Sequence, residues 1–277
     1  MLAATSVLPG GTLEDDAEQR TARKDAKRTA IWHTGMPIRQ WDHEIGDQER
    51  HLVLVSPAGE LADLTPGVGT VALTSASADL SPDARTVATS WTRRVTGGET
   101  RSDLVLLDVG STERTVLLAA DDEAQFSSPC YSPDGERLAY IRSTLPSPAG
   151  TSLARLELRD LATGETVTAE LGDLTATDLE WQDPGTLLVA GDLHSSGAVL
   201  AIDTATGERR WVVEPTEELE ATVVALAPDG RQAVVSLEEA STPERPEILT
   251  VVLVDLTTGE RRTIAEGWDR WISEAVV

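Results

Sequence analysis

Four histidines are the natural starting point for chemistry in this chain: His33, His43, His51 and His194. Set beside a serine and an orienting carboxylate, an imidazole acts as general base in acyl transfer. In α/β-hydrolases that chemistry also needs a nucleophile on a sharp strand-to-helix turn, written Gly-x-Ser-x-Gly, and no such segment occurs in the sequence. No catalytic residue is therefore expected among these histidines. The single cysteine, Cys130, excludes an internal disulfide and any Cys-based zinc site. No basic neighbour would lower its thiol pKa, so it is expected to be a small buried apolar group on an inner strand.

Two acidic stretches invite a metal reading and fail it on spacing. Asp42-His43-Glu44 offers three ligand types in a row, but successive strand residues point to opposite faces and cannot converge on one ion. Asp121-Asp122-Glu123 lacks the alternating carboxylates of a calcium loop and is expected to be a solvated connection. Neither a metal nor a cofactor is expected. Arg39 is the best candidate for contact with a substrate, because a guanidinium can hold a carboxylate through two parallel hydrogen bonds. Its competing reading is an ion pair with Asp42 or Glu44, which so acidic a chain favours.

The elements that must position these residues follow from repeats. Ser81-Pro82-Asp83-Ala84, Ser132-Pro133-Asp134-Gly135 and Ala227-Pro228-Asp229-Gly230 share one pattern, with a weaker copy at Gln182-Asp183-Pro184-Gly185. Each precedes a short apolar run, and Pro followed by Asp or Gly is turn chemistry between strands. A second pattern, Asp-Leu-x-Thr-Gly-Glu or near it, starts at Asp160, Asp203 and Asp255, with a degenerate copy at Asp108. It joins alternating, β-branched runs of strand character. Its spacing of 43 to 52 residues leaves room for four short strands per period. Four antiparallel strands in about 40–50 residues make one propeller blade.

The expected fold class is therefore all-β, a β-propeller of four-stranded blades with about five blades present. Complete blades are placed at 76–119, 125–172, 176–214 and 221–266. Residues 1–75 are read as an incomplete blade with an inserted segment, in which Leu2–Leu8 supplies part of the sheet. Residues 267–277 are read as the opening of a further blade. The one stretch of possible helix is Glu14–Lys27, polar all round. Seven of the ten aromatic residues are tryptophans, lying in or next to predicted strands and expected to fill blade–blade contacts.

Composition narrows the partners. The formal net charge is −24, with 23 basic and 47 acidic side chains. That opposes binding to nucleic-acid backbones and to anionic membranes. No apolar run approaches the ~20 residues of a membrane-spanning helix, and Met1–Gly10 lacks the charged and apolar regions of a signal peptide. A cytoplasmic location is expected.

The segment Arg23–Gly46 carries a resemblance. Arg23-Lys24-Asp25, Ala30-Ile31, His33-Thr34-Gly35, Pro37-Ile38-Arg39 and Trp41-Asp42-His43 resemble the propeller of acylaminoacyl-peptidases and dipeptidyl-aminopeptidases in the prolyl oligopeptidase family. Gly267-Trp268-Asp269-Arg270-Trp271 is similar to that family's blade-opening segment. The resemblance implies a seven-bladed parent in which Pro37, Trp41, Asp42 and His43 are a structural motif. The propeller would gate short peptides toward a C-terminal α/β-hydrolase domain that this chain lacks. It would then be inactive alone. The alternatives are a stand-alone TolB-like propeller that binds a protein partner, and an inactive truncated product.

Overall fold

The computed structural model describes residues 1–30, 39–40, 43–44, 48–74, 76–145, 150–194, 196–214, 219–227, 229–239 and 248–268. The elements run β1 (Leu2–Val7), α1 (Asp16–Asp25), β2 (Arg39–Gln40), β3 (His43–Glu44), β4 (Glu49–Val55) and β5 (Leu61–Asp63). Then come β6 (Ala78–Leu80), β7 (Thr86–Arg94), β8 (Thr100–Asp108) and β9 (Arg114–Leu118), followed by β10 (Ala124–Tyr131), β11 (Arg137–Thr144), β12 (Ala154–Asp160) and β13 (Thr166–Ala169). The rest are β14 (Thr175–Asp183), β15 (Thr186–Leu193), β16 (Ser196–Asp203), β17 (Arg209–Val213), β18 (Leu219–Leu226), β19 (Gln232–Glu239), β20 (Ile248–Asp255) and β21 (Arg261–Trp268).

Four sheets are four-stranded meanders in sequence order, β6–β9, β10–β13, β14–β17 and β18–β21. A fifth has three strands in the order β1-β4-β5, and β2 with β3 forms a two-stranded ribbon. Repeated antiparallel meanders of this size are propeller blades, so the fold is a β-propeller with four complete blades and one partial blade. Among the described residues this sheet shows three strands where the other meanders have four. At the far end, Trp268 pairs with Leu249 and so closes β21 rather than opening a new strand. Residues 269–277 lie outside the described residues.

The turns explain why the meanders form where they do. Ser81 Oγ donates to Asp83 Oδ1 (2.7 Å) and accepts from the amides of Arg85 and Thr86, while Ser81 N donates to Thr86 O. Ser132 repeats the arrangement with Asp134 and Arg137. The second turn is equally regular. Asp160 Oδ1 accepts from the amides of Ala162 and Thr163 and from Thr163 Oγ1, and Gly164 takes a φ of +76° to donate back to Asp160 O. Asp203 and Asp255 hold their turns in the same way. These side-chain bonds satisfy backbone donors that no strand can reach.

The chain divides into two compact units, Met1–Ser127 and Ser128–Val277. In the first, Leu52 and Leu64 of the partial blade pack with Ala72, Leu73, Val87 and Leu107. In the second, Cys130, Ile141 and Leu156 pack on Leu179, Trp181, Leu187 and Val189. The other face of that β14–β17 blade, with Leu188, Val199 and Val213, packs on Val235, Val252 and Val254. The clusters thus join successive blades face to face, each fully buried Leu or Val contributing roughly 1.5–3 kcal/mol. Trp181 is buried and donates through Nε1 to Cys130 O at 3.1 Å. Arg137 lies 4.9 Å from the Trp181 ring centre, and its guanidinium donates to Thr204 Oγ1 and to Pro184 O.

Candidate functional site

The segment of family resemblance lies between β1 and β4. Val7 pairs with Glu49, so everything from Leu8 to Gln48 leaves and re-enters one end of the partial blade. Arg39 pairs with Glu44, and Gln40 with His43, across the β2–β3 ribbon. The register thus sets Arg39 opposite one of the two carboxylate-bearing residues named for it. Pro37, Trp41 and Asp42 lie outside the described residues, as do His33 and Trp32. The roles read for Arg39 and for the Pro37–His43 motif remain proposals.

The other expected residues are placed more fully. His51 is wholly buried on β4, with Nδ1 2.7 Å from Asp63 Oδ2 on β5. Its Nε2 stands 3.6 Å from Glu49 Oε2. Asp63 Oδ1 accepts from Thr65 N, and Thr65 Oγ1 accepts from Leu52 N. Counting back from the turn, His51 corresponds to Asp103 in the next blade. Asp103 is buried too, accepts from Arg93 Nε at 3.0 Å and from Ala120 N at 2.8 Å, and Arg93 reaches Ala120 O. Both groups fasten the chain as it leaves the last strand of a blade. They are cross-links between a blade strand and the segment that follows it. Asp121 Oδ1 accepts from the amides of Glu123 and Ala124, and Asp122 reaches Arg101 at 3.3 Å. The acidic stretch at 121–123 is thereby a tied connection. Among the described residues no three His, Cys, Asp or Glu side chains are grouped to hold a metal ion.

A groove not expected from the sequence lies in the second unit, between the connection 171–173 and the face of the β14–β17 blade. It encloses about 380 Å³ and is lined by Leu171, Asp173, His194, Leu200, Arg209 and Trp211, among others. Arg209 and Trp211 are two apart on β17 and share one face; Leu200 on β16 pairs with Trp211. Gly172, at φ +66°, lets the Arg209 guanidinium lie over it: a Cβ there would stand 3.1 Å from Nη1. His194, at φ +51°, turns its ring toward Asp173, with Nε2 3.9 Å from Oδ2. Both are well exposed, so this pair adds little stability and stays available to a ligand. The result is an apolar floor of leucine and indole under a rim of guanidinium, imidazole and carboxylate. Trp211 is one of the tryptophans expected in or next to strands, and Arg209 was not singled out. Asp173 and His194 come from a connection and a turn, and no local pattern links them to it.

No protein-family model matches the sequence, and a search of curated proteins finds no match. Solved structures do match in fold. TolB from Acinetobacter baumannii aligns with a TM-score of 0.58 and 16% identity, over 78% of this chain and 48% of that one. An oligogalacturonate lyase in complex with manganese aligns at 0.56 and 19% identity, over 80% of this chain and 60% of that one. Tricorn protease aligns at 0.53 and 12% identity, over 78% of this chain and 24% of that one. The chain therefore spans about half of TolB and about three-fifths of the lyase. Peptidase and TolB-like propellers both stand among the structural neighbours, and identities this low show a shared fold rather than membership of either family.

Proposed function

We propose that this chain is a peptide-recognition module that uses the Arg209–Trp211 groove to hold an extended segment. The observation that carries the reading is the pairing of an apolar floor with Arg209 and Trp211 on one strand face. An extended peptide also has alternating side chains, so an apolar residue on Leu200 and Trp211 would leave a carboxylate two positions along the peptide, on the same face, near Arg209. The guanidinium supplies a planar, two-pronged donor for it. Fold similarity to TolB over 78% of this chain supports the TolB-like version, in which the propeller recruits a protein partner.

The second reading is a propeller that selects short peptides for a serine peptidase. The Arg23–Gly46 resemblance and the alignment to tricorn protease favour it. In either version bond cleavage belongs elsewhere, and peptide binding is shared. The test is fluorescence anisotropy with labelled peptides carrying an apolar residue and a Glu two positions away. Binding that falls when Trp211→Ala or Arg209→Ala is introduced supports the module. Unchanged affinity in both variants, or no binding by the parent chain, ends it. Hydrolysis of an acyl-aminoacyl or dipeptidyl chromogenic substrate by the purified chain would overturn the non-catalytic assignment.

A further inference from the structure

The chain holds only two lysines, Lys24 and Lys27, and both stand in a nine-residue stretch with Arg20, Arg23 and Arg28. Residues 20–28 carry five basic side chains and one acidic one, Asp25, in a protein whose net charge is −24. The stretch is the C-terminal half of α1 and its exit. None of the α1 side chains is buried. The helix is held at its start: Asp16 accepts from Leu8 N and from Arg20 Nε, and Arg20 also donates to Ser6 O. Packing therefore does not explain its outer face. Basic residues in the last turn of a helix complement its dipole, which accounts for Arg23 and Lys24. It does not account for Arg28, which lies beyond the helix and is exposed.

Beside this face lies a cavity of about 360 Å³ lined by Leu8, Pro9, Gln19, Ala22, Arg23 and Arg28. Gln19, Ala22 and Arg23 are spaced to share one side of the helix. Two guanidiniums and an amide thus rim a floor of Leu8, Pro9 and Ala22. We infer that this cavity and the basic helix end bind an acidic peptide segment, with a carboxylate seated between Arg23 and Arg28. Overall charge selects the class of partner. At physiological salt, charge is felt over about 8 Å, so a compact acidic segment meets the local patch. A long polyanion spreads its charge over the acidic surface beyond the patch and is repelled there. This site belongs to the first unit and does not depend on the groove at Trp211.

The test uses the whole chain and a fluorescein-labelled hexaglutamate peptide, read by anisotropy at physiological salt, where the acidic surface beyond the patch is screened. The parent binds, added salt weakens binding, and the double variant Arg23→Gln/Arg28→Gln weakens it by about tenfold or more, as loss of two charged donors requires. Asp25→Asn removes the one acidic side chain within residues 20–28 and tightens binding, a gain that misfolding cannot imitate. Arg262→Glu, exposed and remote in sequence, leaves it unchanged. Equal affinity for a hexaglutamine peptide overturns the inference. So does parent-like binding in the double variant, failure of Asp25→Asn to tighten, or tighter binding to a DNA duplex than to the peptide.

Discussion

His51 Nδ1 lies 2.7 Å from Asp63 Oδ2, and the imidazole has no exposure to solvent. The pair spans neighbouring strands of the partial blade, and the same carboxylate holds the amide of Thr65 as the chain departs. A sheet of three described strands has fewer backbone bonds to lose, so this cross-link carries more of its cohesion. His51→Ala is expected to cost about 1.5–3 kcal/mol, the range for a hydrogen bond to a charged group. Urea denaturation would show it as a lower midpoint at unchanged slope. An unaltered midpoint would reduce the pair to a bystander.

The turn aspartates set the acid limit. Backbone and side-chain hydrogen bonds from Thr163 hold the Asp160 carboxyl below its ordinary value, Thr206 does the same for Asp203, and the Ser132 hydroxyl does so for Asp134. A depressed carboxyl stabilises the fold above its unfolded pKa and loses that contribution as pH falls through the folded one. Thermal stability is therefore expected to hold down to about pH 5 and to decline below about pH 4. Asp160→Ala and Asp203→Ala should lower the melting temperature at pH 7, with the gap to the parent narrowing in acid. A gap independent of pH would contradict the assignment.

Asp178 should behave in the opposite sense. It stands at an irregularity of the β14–β15 register and accepts from Leu179 N, yet desolvation raises its pKa. A raised carboxyl costs stability once pH passes the unfolded pKa, and the cost is complete above the folded one. Asp178→Asn keeps an acceptor and removes the charge, so it should melt higher than the parent at pH 7. Because the side chain still reaches water, the rise is small. The two proteins should converge below about pH 4. A variant that melts lower at neutral pH would show the charge to be useful.

Two glycines separate strain from collision. At Gly230, φ is +67° and a Cβ would lie 2.2 Å from Gln182 O, a backbone atom that cannot step aside. At Gly164, φ is +76° and the nearest atom is the movable end of Arg159 at 3.0 Å. Gly164→Ala should cost about 1–2 kcal/mol, the conformational penalty alone. Gly230→Ala should cost clearly more, since packing between two blades must also shift. Equal losses in calorimetry would mean that the contact at Gln182 yields.

Much of this architecture was legible in the residues. Pro-Asp-Gly and Thr-Gly-Glu turns are short-range objects: Asp160 and Ser132 each bond within five positions, so their chemistry survives in a linear string. The blade pattern followed from them. Long-range pairings were not legible. His51 meets Asp63 only once the β4–β5 register is known, and His43 carries the same residue type with no local mark to distinguish it. The groove was hidden for a related reason. Asp173 and His194 stand far apart in sequence and approach each other only through the β14–β15 hairpin between them. Trp268 ends β21, and the rest of that segment, 269–277, lies outside the described residues.

The stretch from Leu8 to Gln48 departs from and returns to adjacent strand ends, Val7 and Glu49. Such a geometry makes it a cassette. Its length and content can be exchanged without altering a pairing within the blades, provided both stems are kept. A protease that severed it would leave β1 clamped to β4, a nicked particle still travelling as one. New recognition properties can thus be grafted at this place while the blades remain untouched.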